Sequence, residues 1–172
     1  MIKNILIEGI DGGGKSTLAK ELKNRLGWDH KALGHRGGDQ FDRYLSEYAQ
    51  CSQTVIERGH ISEVVYSQIF GRTQPFTPLQ QTILNSIICE QMIIIYAAPN
   101  LELAKSRLHD RPGVHQVVNV AQLEKMIGYF DEFIAKLPSS SRIATYRGQN
   151  WDELEQLVAA IKAELSHDSI RT

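Results

Sequence analysis

Residues 5–26 hold the feature that most constrains what this chain can fold into. An apolar run, Ile5-Leu6-Ile7, leads through Glu8 into Gly9-Ile10-Asp11-Gly12-Gly13-Gly14-Lys15-Ser16-Thr17, and a stretch with helical periodicity follows as far as Gly27. The fixed positions of G-x-x-x-x-G-K-[ST] are all met, by Gly9, Gly14, Lys15 and Ser16. The glycines let the backbone curl so that successive N–H groups face a pyrophosphate, and the helix that follows adds its positive end. Lys15 supplies a mobile charge that can track a phosphoryl group in transfer, and the Ser16 hydroxyl suits Mg2+. Strand, loop and helix in this order make a nucleoside-triphosphate site, with Gly9, Asp11, Gly12, Gly13, Gly14, Lys15, Ser16 and Thr17 around the phosphates.

The rest of the chain repeats the alternation of short apolar runs with longer amphipathic segments. That pattern predicts an α/β fold, a central parallel five-stranded sheet flanked by helices in three layers. Strands are expected at 4–8, 31–35, 54–57, 92–97 and 142–146, the fourth buried on both faces because three isoleucines are consecutive there. The first helix should stop at Gly27. The last should run over 151–165, with Asp152 and Glu153 in its first turn complementing the helix dipole. At 172 residues the chain suits one domain, 1–172, with an acceptor-binding insertion near 36–52 and a lid near 107–118, where Pro112 and Gly113 interrupt a helical pattern.

Composition narrows the partners. Nineteen Lys and Arg stand against 20 Asp and Glu, a net charge of -1 that argues against a protein built to coat nucleic acid. Cys51 and Cys89 belong to no CxxC and read as reduced thiols. No apolar run approaches a membrane span, so no membrane partner and a cytoplasmic location are expected. The six histidines form no HExxH-like pair, which disfavours zinc.

Four segments resemble the thymidylate kinase family of P-loop nucleotide kinases: EGIDGGGKST; Thr54-Val55-Ile56-Glu57-Arg58 with Ser62 and Tyr66 downstream; Arg107 and Arg111 in LAKSRLHDRPG; and Tyr146-Arg147-Gly148-Gln149-Asn150-Trp151. The length implies a short, phage-type member. The resemblance implies ATP and Mg2+ as donor and metal. It places Glu57 with Ser16 at the metal, Arg58 on the acceptor phosphate, Arg107 and Arg111 as arginines of a closing lid, and Arg147, Gln149 and Asn150 beside the adenine. Asp11 would read an acceptor sugar hydroxyl. Either Glu57 or Asp11 could instead serve as a base or an outer metal group.

After the second strand the family shows an Arg-Glu-Pro-like element, whereas this chain has His35-Arg36-Gly37-Gly38-Asp39. Arg36 is the residue left to address an acceptor phosphate, and the departure opens the question of the base. Phe41, Tyr44, Tyr48, Tyr66 and Phe70 fall where an acceptor base would lie, with Phe41 and Tyr66 the candidates for substrate contact. The expected reaction is ATP-dependent transfer to a deoxynucleoside monophosphate. The alternative is a hydroxyl of a nucleoside or of a modified base, such as 5-hydroxymethyluracil, in DNA. A regulatory nucleotide switch is the third class, disfavoured by the lid-like arginines and the lack of Asn-Lys-x-Asp. A homodimer is compatible with all three.

Overall fold

The computed structural model describes residues 1–36, 39–110 and 119–170. Five parallel strands form one sheet in the order β2-β3-β1-β4-β5. They are β1 (Asn4–Gly9), β2 (Asp29–Ala32), β3 (Thr54–Glu57), β4 (Met92–Ala97) and β5 (Arg142–Tyr146). Between and after them run α1 (Lys15–Leu26), α2 (Gln40–Gln50), α3 (His60–Ile69), α4 (Pro78–Gln91), α5 (Leu101–His109), α6 (Val120–Ala135) and α7 (Trp151–Ile170).

Strand periodicity decides the layering. In β1 the side chains of Ile5 and Ile7 point to one face, where Leu18, Leu22, Leu157 and Ile161 of α1 and α7 meet them. Leu6 points to the other face and joins Tyr44, Ile61, Ile88, Met126 and Phe130 from α2, α3, α4 and α6. β4 is buried along its whole length, as its isoleucine run predicts. Gly27 ends α1 in the left-handed conformation, with its N–H on the Lys23 carbonyl.

The second strand lies two residues earlier than expected, at Asp29–Ala32 rather than 31–35. It is an edge strand with mostly exposed side chains, so its apolar pattern carries little register information. The shift leaves His35 and Arg36 beyond the strand end, on the side where the sheet's other loops open. Tyr44 and Tyr48 are core residues, buried among Phe76, His60 and one another. The last helix continues five residues past its expected end. Arg111 and most of the expected lid fall outside the described residues, and among the described helices none is long and apolar enough to cross a membrane.

Candidate active site

Parallel strands bring their carboxyl ends to one edge, and in open α/β sheets ligands bind there. The loop after β1 carries Asp11 to Gly14, the turn after β3 carries Arg58, and the loop after β5 carries Arg147 to Asn150.

The phosphate loop takes its shape from glycine. Gly12 and Gly14 sit at φ 77 and 80, in the left-handed region that side chains resist. At Gly9 a Cβ would collide with the Ala97 carbonyl, so the start of the loop packs directly on β4. The Lys15 ammonium, only 4% exposed, donates to the carbonyls of Gly9 (2.9 Å) and Ile10 (2.6 Å). Burial, with the nearby Arg58 charge, brings its pKa down to about 8.

Two acid–partner pairs divide the edge. Ser16 Oγ donates to Glu57 Oε1 at 2.6 Å, joining the start of α1 to the end of β3. His30 Nε2 lies 3.4 Å from the other Glu57 oxygen. Across the loop, Arg58 donates to Asp11 at 2.5 Å, and its guanidinium lies 5.3 Å over the Tyr66 ring. Burial works against the Asp11 charge, but Arg58 and Lys15 outweigh it and hold the carboxyl below the usual carboxylate range. The Arg58 backbone is left-handed at φ 65, a costly conformation for a side-chain-bearing residue.

Glu8 is what holds that turn, and no motif flagged it. Fully buried, it accepts from the N–H groups of Gly59 (2.8 Å) and Ser62 (3.3 Å), and from the Ser62 hydroxyl. Burial pushes its pKa up, against the pull of these donors. Gly59 is required because a Cβ there would meet the Tyr48 hydroxyl at 2.5 Å and Glu8 at 2.9 Å. Behind it, buried His60 accepts from the Tyr48 hydroxyl at Nδ1 (3.0 Å) and donates from Nε2 to Asn85 (2.8 Å), tying α3 to α2 and α4.

One cleft opens at the Asp11–Arg58 pair, and a second shares part of its lining. The first, smaller one of about 200 Å3 is lined by Asp11, Arg58, Tyr66, Phe70, Glu63 and His35. The second, larger one of about 480 Å3 shares His35, Glu63 and Arg72 with it and adds Arg36. Phe41 packs against the core and lines neither cleft; Tyr44, Tyr66 and Phe70 are the aromatics that line the smaller one.

On the opposite side of the loop, Thr17, Leu18, Glu21, Tyr146, Gly148, Gln149 and Asn150 line a cleft of about 310 Å3. The backbone N–H groups of Arg147 and Gln149 are not free to meet a base there, because the Glu153 carboxylate accepts both. Asn150 caps α7 by accepting from the Glu153 N–H at 2.9 Å. Arg107 joins the two loops, donating to the carbonyls of Gly12 (3.3 Å) and Gly148 (2.6 Å). To act as a finger on a phosphoryl group it would have to leave both.

No family model matches the sequence, and no curated protein matches it. Solved structures do match. The YorR protein of Bacillus subtilis, in complex with phosphorylated GDP, superposes with a TM-score of 0.79 at 18% identity, over 96% of this chain and 98% of that one. For deoxyadenosine kinase from M. mycoides with bound dATP, the TM-score is 0.65 at 13% identity, over 92% and 99%. Thymidylate kinase from Candida albicans superposes at 0.56 and 15% identity, over 98% and 92%. At these identities the likeness is one of architecture, and it meets the motif resemblance at the breadth of several kinases rather than of one: the chain shares its α/β fold with kinases of differing substrates.

Proposed function

We propose that the protein is a phosphotransferase that passes the γ-phosphoryl group of ATP to a nucleotide, with a deoxynucleoside monophosphate as acceptor. The observation that carries this reading is the division of the sheet edge into two acid pairs, Ser16–Glu57 beside the phosphate loop and Asp11–Arg58 in the acceptor cleft. Phosphoryl transfer asks a protein mainly to align two oxygens and to neutralise spreading charge, and this edge is equipped for both.

Lys15 and the loop N–H groups hold the donor phosphates. The hydroxyl–carboxylate pair of Ser16 and Glu57 is an oxygen donor set of the kind Mg2+ prefers, and these two residues would hold the metal, which would supply charge neutralisation at the donor phosphates. Arg58 and Arg72 bring positive charge to the acceptor cleft, and Arg36 to the cleft beside it. A phosphate oxygen needs no base to attack. A depressed Asp11 suits that chemistry, since a carboxylate held low is a weak proton acceptor and a good partner for Arg58. The nucleotides bound to YorR and to the deoxyadenosine kinase support a nucleotide as the class of ligand.

One observation favours a second reading, transfer to a hydroxyl. The His35 imidazole donates from Nδ1 to Glu63 at 2.6 Å and borders both clefts, an arrangement that orients a base. Measuring ATP consumption with and without deoxynucleoside monophosphates tests the kinase reading. Acceptor-dependent consumption supports it; slow hydrolysis indifferent to any acceptor would point to a switch.

A further inference from the structure

The two clefts hold two carboxylates that the proposed transfer does not use: Asp39, in the larger cleft, is taken up in capping α2, which leaves Glu63. Glu63 lies on α3, six residues past Glu57, only 6% exposed, yet it lines both the smaller and the larger cleft. His35 donates to its Oε1 at 2.6 Å, fixing the side chain in place. Among the described residues no hydrogen bond reaches its Oε2. A buried carboxylate can only accept hydrogen bonds, so it selects a ligand that presents donors. Near it stands Arg72, which lines both clefts as well and whose guanidinium lies 4.9 Å over the Phe70 ring; it can only donate.

We propose that Glu63 reads the acceptor base and selects one that carries an exocyclic amino group, guanine, cytosine or adenine, over thymine. This rests on the nucleotide-acceptor reading above. An amino group offers the carboxylate an N–H with no repulsive neighbour on the donor itself, and the carbonyl or ring nitrogen beside it can accept from Arg72. Guanine fits fully, because N1–H and the N2 amino group lie side by side and O6 follows. Thymine offers only N3–H, flanked by two carbonyl oxygens that a carboxylate repels. A hydrogen bond to a buried charged group discriminates by roughly 10- to 100-fold. Tyr66 and Phe70, tilted at 42° with centroids 6.0 Å apart, supply an apolar wall for the ring itself.

The test compares kcat/KM and calorimetric Kd for dGMP, dCMP, dAMP and dTMP, in the wild type and in Glu63→Gln. The wild type should favour amino-bearing bases over dTMP by about tenfold or more. Glu63→Gln, which keeps the shape and turns one acceptor into a donor, should shrink that ratio about tenfold and improve dTMP. A wild type that takes dTMP as well as or better than the others overturns the proposal. So does a Gln variant that slows every acceptor by the same factor, the signature of Glu63 acting only through His35. If no monophosphate is phosphorylated, the kinase reading falls, and the Kd ratios alone decide the base preference. Should the variant fail to fold, the wild-type ratios still decide.

Discussion

His60 makes acid sensitivity a property of the packing of α3 against α2 and α4. Burial in the ring cluster of Tyr44, Tyr48, Phe76 and Phe133 lowers its pKa from 6.5 to about 4, only partly offset by Asn85. A neutral imidazole is what the network demands, with Nδ1 accepting from Tyr48 and Nε2 donating to Asn85. A base whose folded pKa lies below its unfolded value stabilises the fold fully above 6.5, and the contribution drains away as the pH falls towards 4. At about 1.36 kcal/mol per pH unit, that window is worth about 3 kcal/mol. His60→Gln can preserve one acceptor and one donor but does not titrate. At pH 7.5 it should be less stable by about 1–3 kcal/mol, from poorer hydrogen bonds and packing. Between pH 6.5 and 4 the wild type should lose that lead, while charges common to both proteins cancel in the difference. Urea denaturation at half-unit steps from pH 4 to 8 reads it directly. Parallel stability curves for the two proteins would refute the buried, neutral histidine.

Four further outcomes follow from the same edge. Glu8→Gln removes a buried charge whose raised pKa makes the wild type lose stability as the pH rises above 4.5, so the variant should match or exceed the wild type above pH 7 by denaturation. Glu8→Leu, which strands the Gly59 and Ser62 donors, should cost about 1–3 kcal/mol for each unpaired group. With Lys15 at about 8, affinity for ATP measured by calorimetry should fall as the pH rises from 7 to 9.5, because the deprotonated amine cannot pair with a phosphate; a flat profile contradicts the lysine's role. Arg107→Ala should raise the KM for ATP about tenfold or more, with a smaller change in kcat, since it bridges the phosphate loop and the Gly148 loop; loss confined to kcat would restore the finger role.

How much of this the sequence carried varies with the kind of signal. The phosphate loop is written in glycines, two of them at left-handed φ values that side chains resist, so both its place and its shape could be read. The central strands were legible for a similar reason: β4 is apolar at every position because helices cover both its faces. The edge strand β2 was misplaced because exposed residues leave its register open, and that slip hid His35 from the cleft beside Arg58. Glu8 and Glu63 were invisible as anything more than neighbours of motif residues. Their importance depends on burial and on partners 51 and 28 positions away in sequence, and no local pattern encodes either. Glu153 is a similar case. An acid in the first turn of a helix is ordinary, and only the fold turns it towards the Arg147 and Gln149 N–H groups.

The central claim, that a phosphoryl group is passed on to a nucleotide, is tested most directly by an acceptor screen with γ-labelled ATP and Mg2+. The panel would contain the four deoxynucleoside monophosphates, the corresponding nucleosides, and DNA with ordinary or hydroxymethylated pyrimidines, each with the wild type and with Lys15→Ala. The account predicts label on at least one monophosphate, and none with the Lys15 variant. Label found only on nucleosides or DNA would move the acceptor to a hydroxyl and make His35 its base. Label released as free phosphate whatever the acceptor would contradict the claim outright.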